Sequence, residues 1–132
     1  MDLSVRCVVD VFGLSDFTDA EIAAYPCGVD NTGPDSPLNL LIRHALYPFD
    51  DIRATMSPIN WIAPEKHLPP TLIVHGDRDN MCSFPHSVAL YKKLCECGQS
   101  ADFIMVRNAL HGTRIWIPAM IDAILAFLKA HL

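Results

Sequence analysis

Pro69-Pro70-Thr71-Leu72-Ile73-Val74-His75-Gly76-Asp77-Arg78-Asp79-Asn80-Met81 is the stretch on which the fold turns. The proline pair excludes a helix interior. Thr71 to Val74 then read as a short buried strand, with β-branched residues among them. His75-Gly76 breaks that strand, and two carboxylates, Asp77 and Asp79, fall in the loop beyond. Open α/β sheets place functional groups just past the C-terminal ends of their strands. Further on comes Asn108-Ala109-Leu110-His111-Gly112, a second loop after a second apolar run, Phe103 to Val106. An acid loop followed by a histidine loop is the later half of a nucleophile–histidine–acid arrangement, with the acid before the histidine.

Three pieces recur in one known pattern: Ser57-Pro58-Ile59, the run Pro69 to Asp79, and Leu110-His111-Gly112 ahead of a last helix. From about Val5 onward the chain resembles the C-terminal part of an α/β-hydrolase. The esterase/lipase and prolyl-oligopeptidase-like branches are the most similar. The resemblance implies that Asp79, three residues past the His75-Gly76 pair, is the acid of a catalytic triad, and that His111 is its base. It also implies that the strands here match the sixth, seventh and eighth of the family sheet. The family's serine elbow, Gly-x-Ser-x-Gly, precedes the segment that matches Val5–Phe12. That pattern occurs nowhere in the 132 residues. The resemblance therefore covers nearly all of this chain and the latter half of the family domain.

Composition agrees with one α/β domain. The length suits a single unit, and with 51% apolar residues the chain can build a core. A net charge of −5 argues against nucleic acid or an anionic membrane as partner. No apolar run approaches the roughly 20 residues of a membrane span. Met1 to Arg6 lacks the pattern of a signal peptide. The five cysteines have irregular spacing, and Cys95 and Cys97 point to different faces of an expected helix. They read as reduced thiols of a cytoplasmic protein, with no metal site and no cofactor expected.

In chain order, Val5–Phe12 reads as a strand and Gly13–Phe17 as the loop at its C-terminal end. Thr18-Asp19-Ala20-Glu21 predicts a capping box opening a helix to about Tyr25. Residues 26–34 read as a surface loop. Ser36-Pro37 predicts a helix to about Leu46, followed by a helical turn near 50–55. Residues 57–62 read as extended, and 63–70, with three prolines, as an irregular connection. Ser83 and Pro85 predict the start of a helix whose apolar face is Val88, Tyr91, Leu94 and Cys95, ended by Gly98. Pro118 opens the last helix, with Ile121, Ile124, Leu125 and Leu128 expected on its buried side. Strands alternating with helices predict a small parallel sheet of about three strands flanked by helices.

Asp79 and His111 are expected to touch, because loops at the ends of neighbouring parallel strands lie close together. Asp77 is expected to serve the turn itself, and His75 to bond backbone. For a nucleophile the candidate is Ser15, in Gly13-Leu14-Ser15-Asp16-Phe17. It follows a strand and precedes a helix, but Phe17 stands where an elbow has its second glycine. The plainer reading of Ser15 is a loop hydroxyl that satisfies backbone groups. Ser83 reads as a helix cap and Cys82 as a packed thiol. His44, His67, His86 and His131 read as surface or internally satisfied residues. Trp61 and Trp116 read as core or interface, with Trp116 near enough to His111 to line a pocket.

The expected function is that of a small serine hydrolase acting on a small-molecule ester, with Ser15, or a serine from another chain, as nucleophile. The alternatives are a non-catalytic hydrolase remnant, one piece of a split enzyme, and a peptidase of the prolyl-oligopeptidase-like type. The strand Val5–Phe12 has no Pro or Lys to protect its outer edge, and no segment of this sequence is left to pair with it. A homodimer, formed through that edge or through the flanking helices, is the expected assembly.

Overall fold

A computed structural model describes residues 4–37, 39–40 and 49–132. Three strands form one parallel sheet: β1 (Val8–Val11), β2 (Thr71–Gly76) and β3 (Ala101–Val106), in the order β1-β2-β3. Among the described residues, the helices α1 (Ala20–Ala24), α2 (Phe49–Met56), α3 (Pro85–Glu96) and α4 (Pro118–His131) accompany them. The α/β reading of the sequence is what the structure has.

The central strand organises the packing. All six residues of β2 are buried, and successive side chains alternate between the faces. Leu72 and Val74 join Ile115, Met120 and Phe127 in a core under α4. Ile73 faces the other way, with Ile62, Leu94 and Cys97 in a second core under α3. A strand covered on both faces needs an unbroken apolar run, which Leu72-Ile73-Val74 supplies.

Several local expectations are corrected. The helix at 18–25 begins at Ala20 with Asp19 as its cap; the Asp19 carboxylate accepts from the amides of Glu21 and Ile22. Thr18 is instead drawn into a turn by Asp16, which accepts from its amide and hydroxyl. Residues 57–62 are not extended: Pro58–Trp61 is a 3₁₀ turn, closed by Asn60 N–H to Ser57 C=O (3.1 Å). Proline at the first helical position has its φ already set for that turn. Ser83 does not cap α3, because its hydroxyl donates to Ile22 C=O. Cys95 is exposed, and the α3 face instead buries His86 and Ser87 beside Leu94. On α4, Met120 and Phe127 are buried, whereas Ile121 and Leu125 are exposed. A helix that is apolar nearly all round gives periodicity little power to choose a face. The helix expected over 36–46 falls mostly outside the described residues. Its start is seen: Ser36 Oγ accepts from Asn39 N–H at 3.2 Å.

β2 and β3 end in register, His75 opposite Met105 and Gly76 opposite Val106. The loops that follow therefore leave the sheet side by side. Gly76 sits at the crossing, where a side chain has no room: a Cβ there would lie 2.4 Å from the carbonyl oxygen of Ala109. The variant Gly76→Ala should lower stability by about 1–3 kcal/mol, the usual cost of overpacking. Urea unfolding checks this, as a lowered midpoint with an unchanged slope.

Candidate active site

The turn after β2 is built around the carboxylate of Asp79. Its Oδ1 accepts from the amides of Met81 and Cys82, each at 2.8 Å. Its Oδ2 lies 2.9 Å from Nδ1 of His111. The carboxylate–imidazole contact expected from the sequence is therefore present. A carboxylate only accepts, so Nδ1 of His111 carries a proton, and in the neutral ring Nε2 keeps its lone pair. Nε2 has no hydrogen-bond partner among the described residues, and the side chain is 24% exposed. The pair thus has an inner end held by protein and an outer end that is free.

The loops of Asp79 and His111 are clamped together by four further bonds. Asp77 N–H donates to Val106 C=O (3.1 Å) and Arg78 N–H to Ala109 C=O (3.2 Å). The Asp77 carboxylate accepts from Asn108 N–H (2.5 Å), and Asn80 Oδ1 accepts from His111 N–H (3.4 Å). Asn108 sits at φ 55, a conformation in which Asn is among the least strained residues. Asp77 was expected to serve its own turn; its carboxylate instead ties that turn to the loop after β3. Asn80 was not singled out from the sequence, where nothing separates it from any other polar loop residue.

His75 braces the same turn from below. Its Nε2 is 3.0 Å from Cys82 C=O, so that nitrogen carries the proton and Nδ1 accepts from Ser87 Oγ (2.6 Å). Nε2 also lies 3.4 Å from Asp79 Oδ2. The ring therefore ties α3 to the acid loop. Burial pushes its pKa down and keeps it neutral.

Ser15 lies elsewhere. It is 1% exposed, and its hydroxyl donates to His86 C=O at 2.6 Å. No hydrogen bond among the described residues joins it to Asp79 or His111. The His86 ring accepts at Nδ1 from the amides of Ser15 and Asp16 (3.3 Å each), and so pins the loop after β1 onto α3. The structure thus gives the Ser15 hydroxyl the backbone-satisfying place. The other serines offer no nucleophile. Ser36, Ser57, Ser83 and Ser87 are buried, while Ser4 and Ser100 precede β1 and β3 at the opposite rim of the sheet. Cys82 is next to the acid loop, but burial, with Asp79 nearby, pushes its thiol up to about 11, far from thiolate chemistry.

Phe12, at the end of β1, was missed by the sequence reading. Its ring centroid is 4.2 Å from that of His111 and 6.3 Å from that of Trp116, so it stands between the two. Its φ of 49 turns the chain out of the strand at this point. An apolar concavity of about 360 Å³ lies away from the pair, between β1 and α3, lined by Val8, Leu14, Pro58, Leu68 and Leu90. Asp10 also borders it, with Oδ2 buried and unpartnered and its pKa raised by burial.

A parallel sheet with an acid and a histidine on neighbouring loops at its C-terminal rim defines the α/β-hydrolase class. The chain belongs to the BD-FAE family, an α/β-hydrolase-like esterase domain, whose model matches residues 1–94. Asp79 falls inside that match and His111 beyond it. No curated protein matches the sequence. Among solved structures, a truncated form of a carbohydrate esterase from gut microbiota is 26% identical, with a TM-score of 0.76. The likeness covers 96% of this chain and 42% of that one. Esterase E25 is 22% identical, with a TM-score of 0.71, over 96% of this chain and 40% of the other. An acylaminoacyl peptidase in complex with Z-Gly-Gly-Phe-chloromethyl ketone is 14% identical, with a TM-score of 0.68, over 94% and 19%. These last two bear on the fold alone. The chain thus spans about two fifths of the esterases it matches.

Two buried histidines, His86 and His75, set a pH limit on the fold. The pKa of His86 falls to about 4, mainly through burial, against 6.5 for a free ring. Below pH 6.5 the unfolded chain binds the proton more readily than the folded one. Stability is therefore full above that pH and declines as pH falls toward 4. His75 acts in the same direction. The urea midpoint should drop between pH 7 and pH 5. The drop should be shallower in His86→Asn, whose side-chain oxygen can still accept but cannot take up a proton.

Proposed function

We propose that this chain provides the acid and base of a carboxylic ester hydrolase. Asp79 holds Nδ1–H of His111, and Nε2 serves as general base toward a serine hydroxyl. The serine oxygen bonds to the acyl carbon as its proton passes to Nε2. The imidazolium, stabilised by Asp79, returns that proton to the departing alkoxide. A water then repeats the cycle and releases the acid. The observation that supports this most is the Asp79–His111 bond of 2.9 Å with Nε2 left free. The likeness to a carbohydrate esterase at 26% identity favours an acyl group borne on a carbohydrate.

The nucleophile is, in this reading, a serine presented by a segment that pairs with β1. Val8 N–H donates to Pro70 C=O, just before β2, at 2.9 Å, and Phe12 N–H to Val74 C=O at 2.8 Å. By strand alternation the amides of Val9 and Val11 then point to the open edge. A strand added there ends beside Phe12 and His111. A second reading, a non-catalytic module, is favoured by the burial of Ser15. A peptidase is not favoured by any residue at the rim.

Assay with a short p-nitrophenyl ester, of the protein together with the serine-bearing segment that pairs with β1, tests the proposal. Hydrolysis is expected, and His111→Ala should lower kcat/KM by about 10²-fold or more, the usual range for loss of a general base. Ser15→Ala should leave the rate unchanged. Hydrolysis indifferent to His111 would contradict the proposal, and a folded protein without turnover supports the non-catalytic reading.

A further inference from the structure

Helix α4 has more apolar surface than its own sheet can cover. Met120 and Phe127 are buried, and Ile124 packs beside them. Ile117, Ile121 and Leu125 recur at every fourth residue, so they run along one side of the helix. They are 45%, 43% and 45% exposed. Leu132, 71% exposed and seven residues beyond Leu125, extends this line at the C-terminal end.

Charge flanks the line in a telling way. Asp122 and Lys129 are the only Asp, Glu, Lys or Arg residues of α4, and both are exposed. They are seven residues, about two turns, apart, and so project to the same side of the stripe. One acid and one base at that spacing, beside an apolar line, form a surface complementary to its own copy laid antiparallel. A parallel arrangement would set Asp122 against Asp122 and Lys129 against Lys129. A membrane surface is a poorer match, because interfacial helices carry several basic residues and this one carries a single lysine.

We infer that α4 pairs with α4 of a second copy about a two-fold axis between residues 125 and 126. That operation sets Asp122 opposite Lys129 of the partner subunit and Lys129 opposite the partner's Asp122. The interface is isologous, each contact made twice. Ile121 and Leu125 form its apolar centre, and the charge pairs fix its register and direction. The open edge of β1 is left free by this arrangement.

Sedimentation velocity at micromolar concentration tests it. The wild-type chain should sediment at about twice its monomer mass of 14.6 kDa. Ile121→Asp should be monomeric with an unchanged circular dichroism spectrum, since the side chain is exposed. Asp122→Lys and Lys129→Asp should each weaken the dimer by at least about tenfold, because like charges then face each other across the axis. Mixing these two variants should restore a dimer, because each lysine pair then meets an aspartate pair. A monomeric wild type overturns the inference. So does a dimer that survives Ile121→Asp, which would place the interface elsewhere, or one that mixing fails to restore.

Discussion

The rim of the sheet depends on how the carboxylate of Asp79 is held. Two amides fix one oxygen and His111 takes the other, so the acid has little freedom to turn. That arrangement depends in turn on β2, which is buried along its whole length and sets the turn after Gly76 in one place. His75 adds a brace from α3, and the Asp77–Asn108 bond locks the neighbouring loop. Asp79 and His111 are thus positioned by backbone geometry and buried polar contacts, on the loops after β2 and β3. Such support is more rigid than a surface loop could offer.

The part of the molecule with this much local constraint was also the part legible in the sequence. Pro69 to Asp79 has a strand, a glycine and an acid in an order that few alternatives satisfy, and His111 follows the next apolar run. The loop that holds Ser15 had no such signal. Its position after a strand and before a helix fits an elbow, but the bond that decides its role comes from His86, 71 residues away. Pro58–Trp61 was misread because four residues with one proline suit either an extended segment or a 3₁₀ turn. The exposed side of α4 was misread for a different reason. Its residues are apolar on more than one face, so burial is decided by what lies beside the helix and not by its own pattern. Asn80 and Phe12 gave no warning at all, since their roles exist only once two loops meet.

The same reasoning separates the finished side of the molecule from the open one. β2 has its backbone groups paired on both sides, and the loops after β2 and β3 are interlocked. β1 is paired only on its β2 side, among the described residues, and Val5 and Val8 are exposed. Asp10 adds a buried carboxyl oxygen without a partner on this same strand. Nε2 of His111 is free at the same rim. An acid–base pair that is fully supported on its inner side and unoccupied on its outer side fits a site whose nucleophile arrives on another segment.

The central claim, that Asp79 holds His111 with Nε2 free to accept a proton, is a claim about a tautomer. Two-dimensional ¹H–¹⁵N NMR of the histidine side chains, at a pH where His111 is neutral, measures it directly. The account predicts a protonated Nδ1 for His111, with its proton shifted downfield by the carboxylate, and an unprotonated Nε2. In Asp79→Asn that preference should weaken. A neutral His111 in the wild-type protein carrying its proton on Nε2 would contradict the account, because such a ring could neither donate to Asp79 nor accept from a serine.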